Sequence, residues 1–88
     1  MDKEISFQHK AFTDYLIWQT EDKKTFSKIN NLIKEICREP YTGNGQPEQL
    51  KHELSGYWSR RINMVDRLVY QVEDDRVLII SCKGHYRN

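Results

Sequence analysis

The apolar residues of this chain follow two different periods, one before and one after residue 40. Residues 9–20 carry apolar side chains three and four positions apart, the spacing of one helix face. This first stripe consists of Phe12, Tyr15 and Leu16, with Trp18 beside it. The spacing predicts a first amphipathic helix.

A second helix is predicted after Thr20 or Asp22, either of which has a side chain that can cap it. Its stripe consists of Phe26, Ile29, Leu32, Ile33 and Ile36. Pro40 should end the helix one or two residues before itself. The loop that follows, residues 40–47, contains Gly43 and Gly45, which permit positive φ and the close approach of another backbone.

Short alternating or apolar runs predict strands on both sides of the helices. They cover residues 4–7, 49–54, 58–63, 67–73 and 76–82, with Ser55-Gly56 and Asp74-Asp75 as separators. The order β-α-α-β-β-β-β predicts an α+β fold, an antiparallel β-sheet with two N-terminal helices packed on one face. We expect residues 1–88 to form one domain.

The last predicted hairpin fixes a register. A two-residue turn at Asp74-Asp75 pairs Glu73 with Arg76 and places Arg67 opposite Cys82. Arg67 would then lie at the same end of the sheet as Lys83, His85 and Tyr86.

The sequence does not determine which face of the sheet Arg61 occupies. A two-residue turn at Val65-Asp66 would put Arg61 opposite Tyr70, on the other face from Arg67. A connection of odd length, or a bulge, would put both arginines on one face.

Composition limits the cellular location and the class of protein that the chain can represent. The 88 residues are 38% hydrophobic and 31% charged, with net charge +1. No stretch is long and apolar enough for a membrane span, and the N-terminus lacks a signal-peptide pattern, so we expect a cytoplasmic protein without membrane contact. Cys37 and Cys82 have no thiol or metal-ligand spacing nearby and are expected in the core. A net charge of +1 gives little support for nucleic-acid binding, which usually needs a clear positive excess. Residues 49–72 are locally basic, which fits either a basic face or an ordinary solvated surface.

Candidate chemistry gathers at one end of the predicted sheet. Glu48 offers a carboxylate, Arg67 a guanidinium, His85 an imidazole and Tyr86 a phenol. These groups suffice to cleave RNA without a metal or other cofactor: Glu48 as base toward a ribose 2′-OH, His85 as acid toward the leaving 5′-oxygen, and arginine to stabilise the transition state. The candidate substrate contacts are Lys51, Arg60 and His52. The alternatives are a solvated loop carboxylate, strand-face ion pairs, a half-buried strand histidine and a polar tail.

Several segments resemble the YoeB (Txe) toxins, a branch of the RelE superfamily of bacterial type II toxin–antitoxin systems. They are Asp14-Tyr15-Leu16, Trp18-Gln19, residues 45–52 (GQPEQLKH), residues 54–62 (LSGYWSRRI), Arg67-Leu68-Val69-Tyr70 and His85-Tyr86. The resemblance runs from about Lys10 to Tyr86. The chain departs from the familiar members by continuing past the His-Tyr pair with Arg87 and Asn88.

The resemblance implies a microbial-RNase-like fold and a specific activity. Such toxins are endoribonucleases (mRNA interferases) that cleave mRNA in the ribosomal A site and inhibit translation. The resemblance assigns the base to Glu48, the arginines to Arg61 and Arg67, the acid to His85 and the adjacent phenol to Tyr86. The expected partners are a YefM-like antitoxin, the 70S ribosome with its mRNA, and a second copy in a homodimer. The alternative is a non-catalytic binding toxin or an inactive corepressor on the same scaffold.

Overall fold

The computed structural model describes residues 2–85. The elements are β1 (Glu4–Phe7), α1 (His9–Glu21), α2 (Lys23–Arg38), β2 (Glu48–Gln49), a 3₁₀ helix (His52–Leu54), β3 (Trp58–Arg61), β4 (Arg67–Val72) and β5 (Arg76–Ser81). The two helices pack on one face of the sheet, and the core lies between the helices and the sheet. The predicted α+β fold is confirmed.

Helix α2 follows the sequence prediction closely. Asp22, the single residue between the helices, accepts the backbone N–H of Thr25 at 3.0 Å and so caps α2. The helix ends at Arg38, two residues before Pro40. Four of the five residues in its predicted stripe are buried, and the fifth, Phe26, packs partly buried against the core.

Helix α1 is rotated from its predicted orientation. Phe12 and Leu16 of the predicted stripe are 49% and 43% exposed, whereas Ala11, Asp14 and Trp18 are buried. Two hydrogen bonds to the backbone of Cys82 explain this orientation. The carboxylate of Asp14 accepts the Cys82 N–H, and the indole of Trp18 donates to the Cys82 carbonyl. These two bonds hold α1 against the end of β5.

The sheet has the order β1-β5-β4-β3-β2. Strands β2 to β5 are antiparallel neighbours, as predicted. Strand β1 differs because it pairs parallel to β5, with Glu4 opposite Arg76. It joins the last strand of the chain, and the long intervening segment makes the crossover that a parallel pair requires.

The strand predicted for residues 49–54 is mostly absent. Pairing stops after Gln49, and the chain turns through the 3₁₀ helix, in which His52 has φ +57°. Leu50 and Leu54 lie four residues apart, a spacing that suits a helical turn as well as a strand. His52 is exposed, so its interpretation as a half-buried strand residue was wrong.

The β4–β5 hairpin begins as predicted and then shifts by one residue. The Glu73 N–H bonds the carbonyl of Arg76 at 2.8 Å, but Tyr70 pairs with Ile79 while Val69 pairs with Ser81. Ile80 is therefore the extra residue of a β-bulge. The predicted pairing of Arg67 with Cys82 is wrong, because the bulge moves the Arg67 N–H to the carbonyl of Gly84, 2.9 Å away.

Both cysteines are buried free thiols, as predicted. Burial raises the pKa of Cys82 to about 12 and also raises that of Cys37. Within residues 2–85, neither helix has the length and apolar character needed to cross a membrane.

Candidate active site

Arg61 and Arg67 stand directly opposite each other on β3 and β4. Five residues, 62–66, separate the strands, and the N–H of Ile62 closes the connection on the carbonyl of Asp66 at 3.0 Å. The connection therefore has the odd length that the sequence left open. Paired strand residues lie roughly 5 Å apart at Cβ, so two like charges are held close together.

These arginines occupy the sheet face that carries no helix. Their neighbours Arg60 and Leu68, also paired, are fully buried on the helix side. Because side chains alternate along a strand, Arg61 and Arg67 point the other way. Within the described residues neither arginine forms an ion pair, and the guanidinium of Arg67 donates only to the carbonyls of Asn63 and Asp66.

Glu48 shares this face. It pairs with Ser59, which lies two residues before Arg61 on β3. Opposite residues in an antiparallel pair point to the same side, and diagonal neighbours are roughly 7–8 Å apart. The carboxylate is therefore a diagonal neighbour of Arg61, and it is exposed.

His85 completes the row at the end of β4. The Arg67 N–H binds the carbonyl of Gly84, so the residue after Gly84 lies beside Arg67. The Nδ1 of His85 is 3.3 Å from the carbonyl of Val65. A carbonyl only accepts, so this contact, as a hydrogen bond, assigns the proton to Nδ1 and leaves Nε2 of the exposed ring for proton transfer.

Arg60 does not belong to this face, and its prediction as a substrate contact was wrong. Its guanidinium is fully buried, and all five N–H groups are used. They donate to Tyr70 Oη, Glu35 Oε1 and the carbonyls of Glu39, Thr42 and Asn44. Arg60 thus ties the loop after α2 to the core and has no donor left for an RNA.

The same cluster perturbs two titratable groups. The backbone N–H of Asn44, followed by Arg60, lowers the pKa of Glu35. Burial raises the pKa of Tyr70, whose hydroxyl donates to the carbonyl of Pro40 at 2.7 Å.

The loop of residues 40–47 reaches the edge of β3 through Gly45. The carbonyl of Gly45 accepts the N–H of Arg61, and its φ is +83°. A Cβ at this position would come within 3.1 Å of the Arg60 Cβ and 3.0 Å of the Arg61 carbonyl. The close backbone approach predicted for these glycines is confirmed here.

The remaining predicted site residues are placed as follows. Lys51 and His52 are exposed just beyond β2, on the edge of the sheet next to Glu48. Tyr86 lies outside the described residues.

Sequence reasoning missed the residues that hold the segment leading to His85. On the α1 side, the Asp14 carboxylate accepts the Cys82 N–H at 3.1 Å and the Lys10 ammonium at 2.7 Å, and Lys10 also reaches the carbonyl of Lys83. The ring of Trp18 lies beneath the Lys83 ammonium, 4.8 Å from its centroid. An aspartate beside an apolar helical stripe gives no sign in the sequence that it will be buried, and only its contact with the distant backbone of Cys82 shows its role.

Four polar groups therefore follow one another across the sheet: Glu48 on β2, Arg61 on β3, Arg67 on β4, and His85 on the segment beyond β5. Three strand spacings of about 4.8 Å span roughly 14 Å across the sheet, and Glu48 is displaced from the two arginines by two residues, about 7 Å, along the strand direction. The row combines a possible base, two cations and a possible acid.

Comparisons with known proteins agree on one family. Residues 7–86 match the family model described as a YoeB-like toxin of bacterial type II toxin-antitoxin system. Toxin YoeB of Escherichia coli (strain K12) is 51% identical over 82 residues, which cover 93% of this chain and 98% of that protein. The fold is similar to the YoeB dimer from Staphylococcus aureus (TM-score 0.90, 49% identity, 98% and 100% of the two chains covered). It is also similar to YoeB in the heterotetrameric YoeB–YefM complex from the same organism (TM-score 0.88, 49% identity, 98% and 100% covered).

Proposed function

Since the chain belongs to the YoeB-like toxins of bacterial type II toxin–antitoxin systems, we propose that it is a ribosome-dependent endoribonuclease. It cleaves mRNA in the ribosomal A site and so inhibits translation. The attacking group is the ribose 2′-OH next to the scissile phosphate. The P–O5′ bond breaks as the P–O2′ bond forms, which leaves a 2′,3′-cyclic phosphate and a free 5′-hydroxyl.

Each member of the row has one role in this reaction. Glu48 removes the proton from the 2′-OH, and His85 acts as the doubly protonated imidazolium, which gives its Nε2 proton to the leaving 5′-oxygen and keeps its Nδ1 proton on the Val65 carbonyl. Arg61 and Arg67 stabilise the additional negative charge on the phosphorane. Tyr86, next to the acid in sequence, is proposed to assist it through its phenol, and Lys51 and His52 bind the substrate backbone beside Glu48.

The observation that carries this proposal is the pair of opposed arginines on the helix-free face. Like charges directly opposite each other on a sheet are destabilising. Among residues 2–85 no carboxylate is paired with either of them, and Glu48, diagonal to Arg61, stays exposed. A phosphodiester between the two guanidinium groups would relieve the repulsion. A purely structural arginine looks like Arg60 instead, buried with every donor used.

We also propose the partners of this activity. The relatives from Staphylococcus aureus form a dimer and a complex with YefM. We propose that this chain likewise forms a homodimer and is held inactive by a YefM-like antitoxin. Its ribosomal substrate implies action in the cytoplasm.

The test is cleavage of mRNA on programmed 70S ribosomes by Glu48→Gln and His85→Ala. Each should lower the single-turnover rate by about 10² to 10⁴, the usual contribution of a general acid or base. The matched control is Glu53→Gln, the same exchange at an exposed glutamate in the 3₁₀ helix, which should cleave at the parent rate. Primer extension locates the cut, and end analysis identifies the cyclic phosphate.

Two results would contradict the proposal. If both variants cleave like the parent, these groups are not the acid and base. If the parent halts translation while the mRNA stays intact, the chain is a non-catalytic binding toxin.

A further inference from the structure

Asp66, the last residue before β4, links the three chain segments that meet at the acid end of the site. Its Oδ1 accepts the N–H of Gly84 at 2.9 Å, and its Oδ2 accepts the side-chain amide of Asn63 at 3.0 Å. Its carbonyl accepts the N–H of Ile62 at 3.0 Å and the guanidinium of Arg67 at 3.2 Å. One residue thus contacts the connection, the guanidinium and the C-terminal segment.

The contact with Gly84 determines where His85 stands. Gly84 is fixed through both backbone groups, because the Asp66 carboxylate accepts its N–H and the Arg67 N–H donates to its carbonyl. Its φ is +116°, a region that glycine enters easily and also leaves easily. The imidazole follows at once and contacts the carbonyl of Val65. Residues 65–67 therefore set the position of His85.

The connection between β3 and β4 does not need the Asp66 carboxylate for its own closure. The side-chain oxygen of Asn63 already accepts the N–H groups of Val65 and Asp66, at 2.8 and 2.6 Å. The Ile62 N–H bonds the main chain of Asp66 and not its side chain. The carboxylate makes two hydrogen bonds within residues 2–85, and the one that reaches outside the connection is the bond to Gly84, 18 residues away.

We propose that Asp66 is a positioning residue that holds the imidazole of His85 and the guanidinium of Arg67 in one rigid frame. The inference rests on the proposed function, in which these two groups are the acid and a charge stabiliser. Without the carboxylate, the Gly84 N–H loses its partner, and next to His85 the segment keeps only two of its contacts within residues 2–85, the Arg67 N–H on the Gly84 carbonyl and the imidazole on the Val65 carbonyl. A displacement of about 1 Å at a reacting group can lower a rate about 10²-fold.

The experiment compares three variants in the single-turnover assay on programmed ribosomes. Asp66→Ala should lower the cleavage rate about 10- to 100-fold, with little change in the concentration of ribosomes needed for half-maximal rate. Asp66→Asn keeps an oxygen for the Gly84 N–H and should stay within about threefold of the parent. Asp74→Ala, which removes the same charge from the exposed turn at the other end of β4, should match the parent.

Two readouts separate positioning from a general loss of structure. In a His85→Ala background, Asp66→Ala should lower the residual rate less than about threefold, because the group that the carboxylate positions is already gone and the main-chain carbonyl that accepts from Arg67 remains. In Asp66→Ala alone, the Gly84 amide should exchange with solvent faster, while amides in β3 and β5 keep their protection.

The outcomes decide between the possibilities. Parent-like cleavage by folded Asp66→Ala, or an equal loss in both backgrounds, overturns the inference. If Asp66→Ala does not fold, Asp66→Asn decides: parent-like cleavage supports the inference, and a folded but inactive variant refutes it. If His85→Ala itself cleaves normally, the proposed function fails and this inference with it. If His85→Ala is inactive while Asp66→Ala is fully active, only this inference fails.

Discussion

Replacing Arg60 and Arg61 by alanine, one at a time, tests the assignment of adjacent arginines to opposite faces of the sheet. Arg60→Ala removes a fully buried guanidinium and takes one donor from each of its five acceptors, of which the Glu35 carboxylate keeps its bonds from Asn44. One of those acceptors is the carboxylate of Glu35, whose side chain is 30% exposed. Arg61→Ala removes an exposed side chain that forms no ion pair within residues 2–85.

The expected loss of stability in Arg60→Ala follows from the groups that lose Arg60 as their hydrogen-bond donor. Breaking a buried ion pair by removing one partner costs about 3–5 kcal/mol. The three orphaned carbonyls lie on exposed residues of the loop after α2, where water reaches them, so we add nothing further for them. For a domain of this size, 1 kcal/mol shifts Tm by about 4–8 °C, so Arg60→Ala should lower Tm by roughly 12–40 °C. Arg61→Ala should stay within about 0.5 kcal/mol of the parent.

The assay is urea and thermal unfolding followed by tryptophan fluorescence. Trp18 is buried against the C-terminal segment, and Trp58 packs against the core with its ring tilted by 52° from that of Tyr41, centroids 5.0 Å apart, so both report loss of the core. Cleavage on programmed ribosomes is measured in parallel, where Arg61→Ala should lose activity while keeping its fold. If Arg60→Ala melts within a few degrees of the parent and still loses cleavage, Arg60 acts on the substrate and its assignment to the core is refuted.

Three further predictions concern single groups. Arg67→Ala should lower the cleavage rate about 10²- to 10³-fold and change the urea midpoint little, and a large loss of stability would identify Arg67 as structural. Because hydrogen bonds lower the pKa of Glu35 below its ordinary 4.5, its stabilising effect is complete above that value and lost as the pH falls through the lowered pKa. Glu35→Gln should therefore be less stable than the parent at pH 7, and the difference in the free energy of unfolding should narrow in urea titrations as the pH falls below 4.5; a constant difference would contradict this. Cys37 and Cys82 should react with a thiol reagent at least about 10²-fold more slowly in the native protein than in urea, and rapid native labelling would refute their burial.

The sequence predicted most of the elements because their signals are local. The stripe of α2, the Asp22 cap and Pro40 determine that helix through contacts within a few residues. The Asp74-Asp75 turn likewise aligned the start of the last hairpin correctly. The candidate row was also found from residue type and order, but its geometry was not.

The sequence did not predict the direction of a side chain correctly where contacts with residues distant in the chain determine that direction. The stripe of α1 was read from apolar spacing, yet Asp14 and Trp18 face inward because the backbone of Cys82 lies there. Arg60 and Arg61 are identical in type and adjacent in sequence. Only the Glu35 carboxylate and the loop carbonyls around Arg60 distinguish the structural arginine from the one that faces solvent.

By itself, the sequence determined the order of helices and strands and the identity of the groups able to move protons or stabilise a phosphate, since both follow from residue type and short-range spacing. The tertiary structure alone decided which groups share a face and how far apart they stand. Those properties depend on the five-residue connection before β4 and on the bulge at Ile80. In a sheet, one residue more or less reverses or shifts a whole row of side chains, and a local pattern carries too little information to fix that count.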